Sequence, residues 1–126
     1  MGLREDLEAL RENHPEIQHL VYGDLSTNMV LFATADDERG QEDHDRLITF
    51  GSKTLVVANE VFKAWSKSEE PGAEIVIGGQ GTATIISRAN SSSDEALILS
   101  LSRGADVSAI GKSAATALSQ IAGDED

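Results

Sequence analysis

The stretch from Asp43 to Ser66 carries more apolar surface than a helix lying on one sheet needs. With side chains placed about 100° apart on a helical wheel, Leu47, Ile48, Phe50, Gly51, Leu55, Val57, Ala58, Val61, Phe62, Ala64 and Trp65 fill an arc of roughly 200°. A stripe of about 100° or somewhat more is enough to cover a sheet. Leu47, Leu55, Ala58, Phe62 and Trp65 are assigned to the sheet, which leaves Phe50, Val57, Val61 and Ala64 toward a flank. Two arrangements would cover that flank: a second copy of the same helix, or another helix of the same chain. Left in water it would be an apolar patch of the kind that marks an interaction site. The second copy is the arrangement expected here. Acidic residues crowd the start of the stretch, as the helix dipole favours, and Pro71-Gly72 punctuates its end.

The flanking segments set the architecture. Leu3, Leu7 and Leu10 recur on one helical face, and Asn13-His14-Pro15 ends that helix because the residue before proline avoids the α region. Ile17 to Asp24 and Met29 to Ala35 read as two strands joined by a short turn, followed by a polar loop from Asp36 to Asp45. After the long helix come strands at Glu74 to Gly78, Thr82 to Ser87 and Ala96 to Leu101. Gly79-Gln80-Gly81 and Asn90 to Asp94 serve as their turns. Asp106 is an expected N-cap for a last helix from Val107 to Ala122, which lines up Val107, Ile110, Ala114, Leu118 and Ile121. The order is α-β-β-α-β-β-β-α. It predicts an α/β (α+β) fold with a five-stranded antiparallel sheet and helices packed on it. Residues 1–122 read as one domain, and 123–126 as an acidic, disordered tail.

Composition narrows the function. The chain has 126 residues, no cysteine and a formal net charge of −12. Disulfides and thiolate metal sites are excluded. So much acid repels phosphate backbones and anionic lipid surfaces, so neither nucleic acid nor membrane is an expected partner. No segment approaches the ~18 apolar residues of a membrane span. The N-terminus has no apolar run of the signal-peptide kind, and Asp6 stands where a myristoylation motif wants Ser or Thr. The cytoplasm is the expected compartment.

Motifs for catalysis or cofactors fail on inspection. Gly111-Lys112-Ser113 resembles the end of a P-loop, but Asp106 occupies the place of its first glycine. Gly79-Gln80-Gly81 begins a dinucleotide fingerprint, yet Thr84 replaces the last glycine and a strand follows instead of a helix. His14, His19 and His44 are scattered, and Glu42, Asp43 and Asp45 lack calcium-loop spacing. No serine lies in a nucleophile elbow. Asn90-Ser91-Ser92 matches a glycosylation acceptor that a cytoplasmic protein leaves idle. Tyr22 and Trp65 read as core or sheet-surface aromatics. No catalytic residue, cofactor or metal is expected.

This arrangement resembles the Roadblock/LC7 domain. The resemblance runs from Leu3 to Ala122. It rests on the opening helix of Leu7 and Leu10, the hairpin through Tyr22-Gly23-Asp24 and the long apolar helix after an acidic loop. The strand Leu97-Ile98-Leu99-Ser100-Leu101 and a terminal amphipathic helix complete it. The loop from Asp36 to Glu42 is longer and more acidic than that family leads one to expect, and the turn at Gly79-Gln80-Gly81 is richer in glycine.

What the resemblance implies is a homodimer or heterodimer. Its central helices pack together, and the strands at Ile75, Val76 and Ile77 pair edge to edge. Family members serve as dynein light chains, endosomal scaffold subunits and bacterial partners of Ras-like GTPases. The expected function is therefore a non-catalytic dimeric module that scaffolds or regulates a small GTPase or another NTPase. Its candidate interface is Phe50, Val57, Val61, Ala64, Ile75, Val76 and Ile77. Two alternatives stand beside it: a ligand sensor with a pocket between sheet and helix, and a small hydrolase. Low aromatic content (4%) weighs against the sensor, because such pockets are usually lined by apolar and aromatic side chains.

Overall fold

The computed structural model describes residues 2–35, 40–66, 74–78, 82–88 and 94–124. The elements are α1 (Leu3–Asn13), β1 (Ile17–Asp24), β2 (Met29–Ala35), α2 (Gln41–Ser66), β3 (Glu74–Gly78), β4 (Ala83–Arg88), β5 (Glu95–Leu101) and α3 (Val107–Asp124). The order matches the sequence reading, with shifts of one or two residues at some element ends. Helix α2 begins at Gln41, inside the expected loop, because the Gly40 carbonyl accepts from the Asp43 and His44 N–H groups at 3.1 and 3.3 Å. Arg46 and Glu42 support that first turn with a pair at 2.9 Å. Helix α3 continues to Asp124, two residues beyond the expected end at Ala122. The turns at 79–81 and 89–93, and Pro71-Gly72, lie outside the described residues.

Local chemistry accounts for the helix ends. The His14 N–H donates to the Leu10 carbonyl at 3.2 Å as the last bond of α1, directly before Pro15. Asp106 caps α3, its carboxylate accepting from the Ala109 N–H at 3.0 Å. In the β1–β2 turn the Asp24 carboxylate accepts from the Ser26 hydroxyl at 2.6 Å and from the Ser26 N–H at 2.8 Å. Hydrogen bonding from the Ser26 hydroxyl, helped by the Ser26 and Thr27 backbone, holds its carboxyl below the usual value. Asn28 closes the turn with φ 57°, a conformation asparagine tolerates better than most residues.

The sheet has five strands in the order β2-β1-β5-β4-β3, all antiparallel. Three neighbours are sequential hairpin partners. The fourth pairing, β1 with β5, joins the two halves of the chain at the centre of the sheet.

Both faces are covered. On one, α1 and α3 bury Leu7, Leu10, Ile110, Ala114 and Leu118 against Leu20, Tyr22, Ile85, Leu97, Leu99 and Leu101. On the other, α2 buries Ile48 and Leu55 against Val21, Ile86 and Ile98. Consecutive residues in β1, β4 and β5 serve opposite layers, as the two-residue period requires. The irregularity between Ile17 and His19 breaks that period. Ile17 thereby joins the α1–α3 layer, while His19 turns toward α2.

Two glycines permit close approach. A Cβ at Gly51 would lie 2.5 Å from Ile98 Cδ1, so this position brings α2 down onto β5. Gly23 sits at the second register shift, where Tyr22 pairs with Phe32 but Gly23 pairs with Val30, leaving Leu31 as the extra residue of a bulge. A Cβ at Gly23 would meet the Ile48 side chain and would lie 2.5 Å from the Met29 carbonyl oxygen, which is backbone and cannot swing aside. Gly111, Lys112 and Ser113 lie inside α3, so the P-loop-like sequence is helix and cradles nothing.

Gly23→Ala is therefore expected to lower unfolding free energy by about 1–3 kcal/mol through overpacking. Urea denaturation checks this, and an unchanged midpoint would contradict the packing described. Titration with GTP or ATP and magnesium is expected to give no saturable heat. Micromolar binding would overturn the reading of residues 111–113 as plain helix.

Candidate functional site

The outward side of α2 carries three of the exposed large apolar side chains among the described residues, and Met29 and Leu31 of β2 are the others. Phe50 is 43% exposed, Val56 59% and Val57 60%. Phe50 and Val57 are seven residues apart, two helical turns, and therefore share a face. The side that carries Ile48, Gly51 and Leu55 is turned to the sheet. Helices α1 and α3 lie on the far side of the sheet, so neither covers Phe50 or Val57. Leu47 and Leu55 face the sheet as the wheel assigns them. Ile48 and Gly51, which the wheel leaves without a side, are buried there too. Val56 was missed because it falls outside the apolar arc. The side chains of Val61, Ala64, Ala58, Phe62 and Trp65 lie outside the described residues.

Several contacts fix the first half of α2 in place. The Ser52 hydroxyl donates to the Leu25 carbonyl at 3.2 Å. His19, buried in β1, meets His44 of α2 with Nε2 and Nδ1 2.8 Å apart, so one imidazole donates to the other. These two histidines looked unrelated in sequence. The strand period puts His19 on the α2 face together with Val21, and the seating of α2 brings His44 to it.

Strand β3 forms one edge of the sheet. Ile75, Val76 and Ile77 pair with Ile86, Ile85 and Thr84 of β4, and among the described residues no strand lies on the other side. The backbone of Ile75 to Ile77 thus stands at an edge with hydrogen-bonding groups directed outward. The side chains there lie outside the described residues.

The opposite face holds a groove of about 390 Å³ between α1 and α3, lined in part by Asp6, Asn13, His14, Lys112, Ser113 and Gln120. His14 Nε2 lies 2.9 Å from Ser113 Oγ. This is the closest approach to a nucleophile and base among the described residues. Ser113 sits mid-helix, where the backbone N–H groups are committed to α3 and supply no oxyanion donors.

Elsewhere, the Tyr22 hydroxyl donates to Glu95. Burial pushes the Arg88 guanidinium below its usual value, though it stays charged. Among the described residues no three His, Asp or Glu side chains converge on a cation position. No described helix is long and apolar enough to cross a membrane.

No protein-family sequence model matches the chain, and no curated protein is significantly similar in sequence. Solved structures do match. A Roadblock/LC7 domain from Streptomyces avermitilis superposes with a TM-score of 0.82 at 15% identity, covering 99% of this chain and 98% of that one. An MglB structure with a tetrameric arrangement gives 0.77 at 21% identity, covering 97% and 88%. The gliding protein MglB from Thermus thermophilus gives 0.77 at 20% identity, covering 97% and 89%. Sequence identity this low speaks to architecture alone, and the architecture is consistent from α1 to α3: this chain has the Roadblock/LC7 fold.

Proposed function

We propose that the chain is a non-catalytic interaction module that dimerises through α2 and β3 and scaffolds or regulates a small Ras-like GTPase or another NTPase. The observation that carries this reading is the exposed apolar stripe of Phe50 and Val57 on the outward side of α2. A second α2 laid across that stripe removes it from water, and the helical wheel of the sequence assigns Val61 and Ala64 to the same flank. The open β3 edge supports the same assembly, because Ile75, Val76 and Ile77 of two copies can continue one sheet across both chains. One of the similar structures is itself described as tetrameric, which supports self-association for this fold.

The GTPase is the partner that the Roadblock/LC7 resemblance implies. In this reading the active site belongs to the partner. The dimer supplies a rigid platform whose two α2 helices lie side by side. The charge of −12 favours a partner with a basic contact face.

Sedimentation at low micromolar protein is expected to give twice the 13.4 kDa chain mass. A monomer throughout that range would overturn the dimer. Val57→Asp is the sharper test. Val57 is 60% exposed in the single chain, so the charge leaves the chain's own core undisturbed. In a seam it would be buried without a partner, costing about 3 kcal/mol and weakening the dimer about a hundredfold. A folded monomer with unchanged circular dichroism is the expected product. An undiminished dimer would place Val57 outside the seam. For the partner, capture from cell extract on the wild-type dimer should enrich a GTP-binding protein that Val57→Asp loses. Equal capture by both would remove α2 from its recognition.

A further inference from the structure

The outward side of α2 carries charge as well as apolar surface. Phe50, Lys53, Val57 and Glu60 follow one another at spacings of three, four and three residues, the rhythm that keeps side chains on one seam of a helix. All four are exposed in the single chain. Arg46, four residues before Phe50 on the same side, is committed within its own chain to Glu42 at 2.9 Å and lies 3.9 Å from Asp43. Lys53 and Glu60 are not committed in this way. About 10 Å of helix separates them, and among the described residues neither makes an ion pair.

We propose that Lys53 and Glu60 are the self-recognition pair of the α2 seam. Two copies of α2 cross antiparallel about a two-fold axis at Val56 and Val57, and Lys53 of each copy faces Glu60 of the other. This rests on the dimer reading above and adds to it the orientation of the helices and the choice of a second copy as occupant.

Symmetry and charge order carry the argument. In a two-fold seam every contact occurs twice, with the roles of the two chains exchanged. Parallel helices would set Lys53 against Lys53 and Glu60 against Glu60, two repulsions. Antiparallel helices set Lys53 against Glu60 of the partner subunit, and symmetry forms that ion pair twice. The alignment also fixes the axis, because the midpoint between positions 53 and 60 falls between 56 and 57. Val56 and Val57, 59% and 60% exposed, are the most exposed large apolar side chains among the described residues. The alignment buries them at the centre of the seam, with one ion pair on either side, which is the apolar centre and polar rim of a specific interface. A different helix with apolar residues but without this charge order would leave Lys53 and Glu60 unmatched, so the pair discriminates between partners.

Charge reversal tests the pairing, read by sedimentation over a series of protein concentrations. Both residues are exposed, so the variants should keep the wild-type circular dichroism. Lys53→Glu and Glu60→Lys should each weaken self-association about tenfold, because each turns both ion pairs into like-charge contacts. The two substitutions shift net charge in opposite directions, so a general charge effect would weaken one dimer and tighten the other. The variant carrying both Lys53→Glu and Glu60→Lys restores opposite charges and should recover wild-type affinity. An equimolar mixture of the two single variants should recover it as well, by forming the mixed dimer. Undiminished dimers of both single variants, tightening by Glu60→Lys, or failure of either the double variant or the mixture to recover would overturn the pairing and leave the dimer reading standing. A wild-type chain that stays monomeric would overturn both.

Discussion

Pairing of β1 with β5 is the contact on which both layers of the molecule depend. It joins residues from opposite ends of the chain, matching Leu20 with Leu99, Val21 with Ile98 and Tyr22 with Leu97. Every second side chain then serves the α1–α3 layer and the others serve α2. A slip of one residue would exchange the two sets and present each layer with the other's contacts. The local hairpins form from neighbouring sequence. The central pair must close a long loop first, so its register is enforced by burial on both faces rather than by a turn.

The two layers are unequal, and the inequality gives α2 its double character. The α1–α3 layer is a broad apolar cluster. The described α2 layer rests on Val21, Ile48, Leu55, Ile86 and Ile98, with the close approach that Gly51 allows over Ile98. Polar contacts add definition: Ser52 to the Leu25 carbonyl, and His19 to His44. A helix held from below along one side is free to be apolar on the other. That is how Phe50 and Val57 stand in solvent without weakening the chain's own core. The surface proposed as the dimer seam and the contacts that seat α2 therefore lie on opposite sides of one helix.

Several acidic residues among those described sit at turns and helix ends. Asp24 turns the β1–β2 hairpin, Asp106 caps α3, and Glu42 and Asp43 sit in the first turn of α2 beside Arg46. Each occupies a place where a carboxylate meets backbone N–H groups, a helix dipole or a nearby cation, so strong net charge coexists with an apolar interior. Asp6 differs because one of its oxygens is buried without a donor.

The sequence by itself determined the elements. Leu7 and Leu10 on one helical face, the alternation through Leu97 to Leu101, the break at Pro15 and the cap at Asp106 are local properties, set by periods of 3.6 and 2 and by backbone chemistry within a few residues. It also determined that α2 has apolar residues on more than one side, and that Phe50 and Val57 are among them. Tertiary structure alone decided that Ile48 and Gly51 join Leu47 and Leu55 against the sheet, and that Val56 joins the exposed set. It likewise placed Ser113 against His14 and Lys112 in a groove with Asp6, although these residues are about a hundred positions apart in the chain. The physical reason is that periodicity states which side of an element is apolar, but not which other element will cover it. That choice depends on strand order and register, and a single irregularity such as the one between Ile17 and His19 is enough to put Ile17 in the α1–α3 layer although the strand period counted from Val21 assigns it to the α2 side.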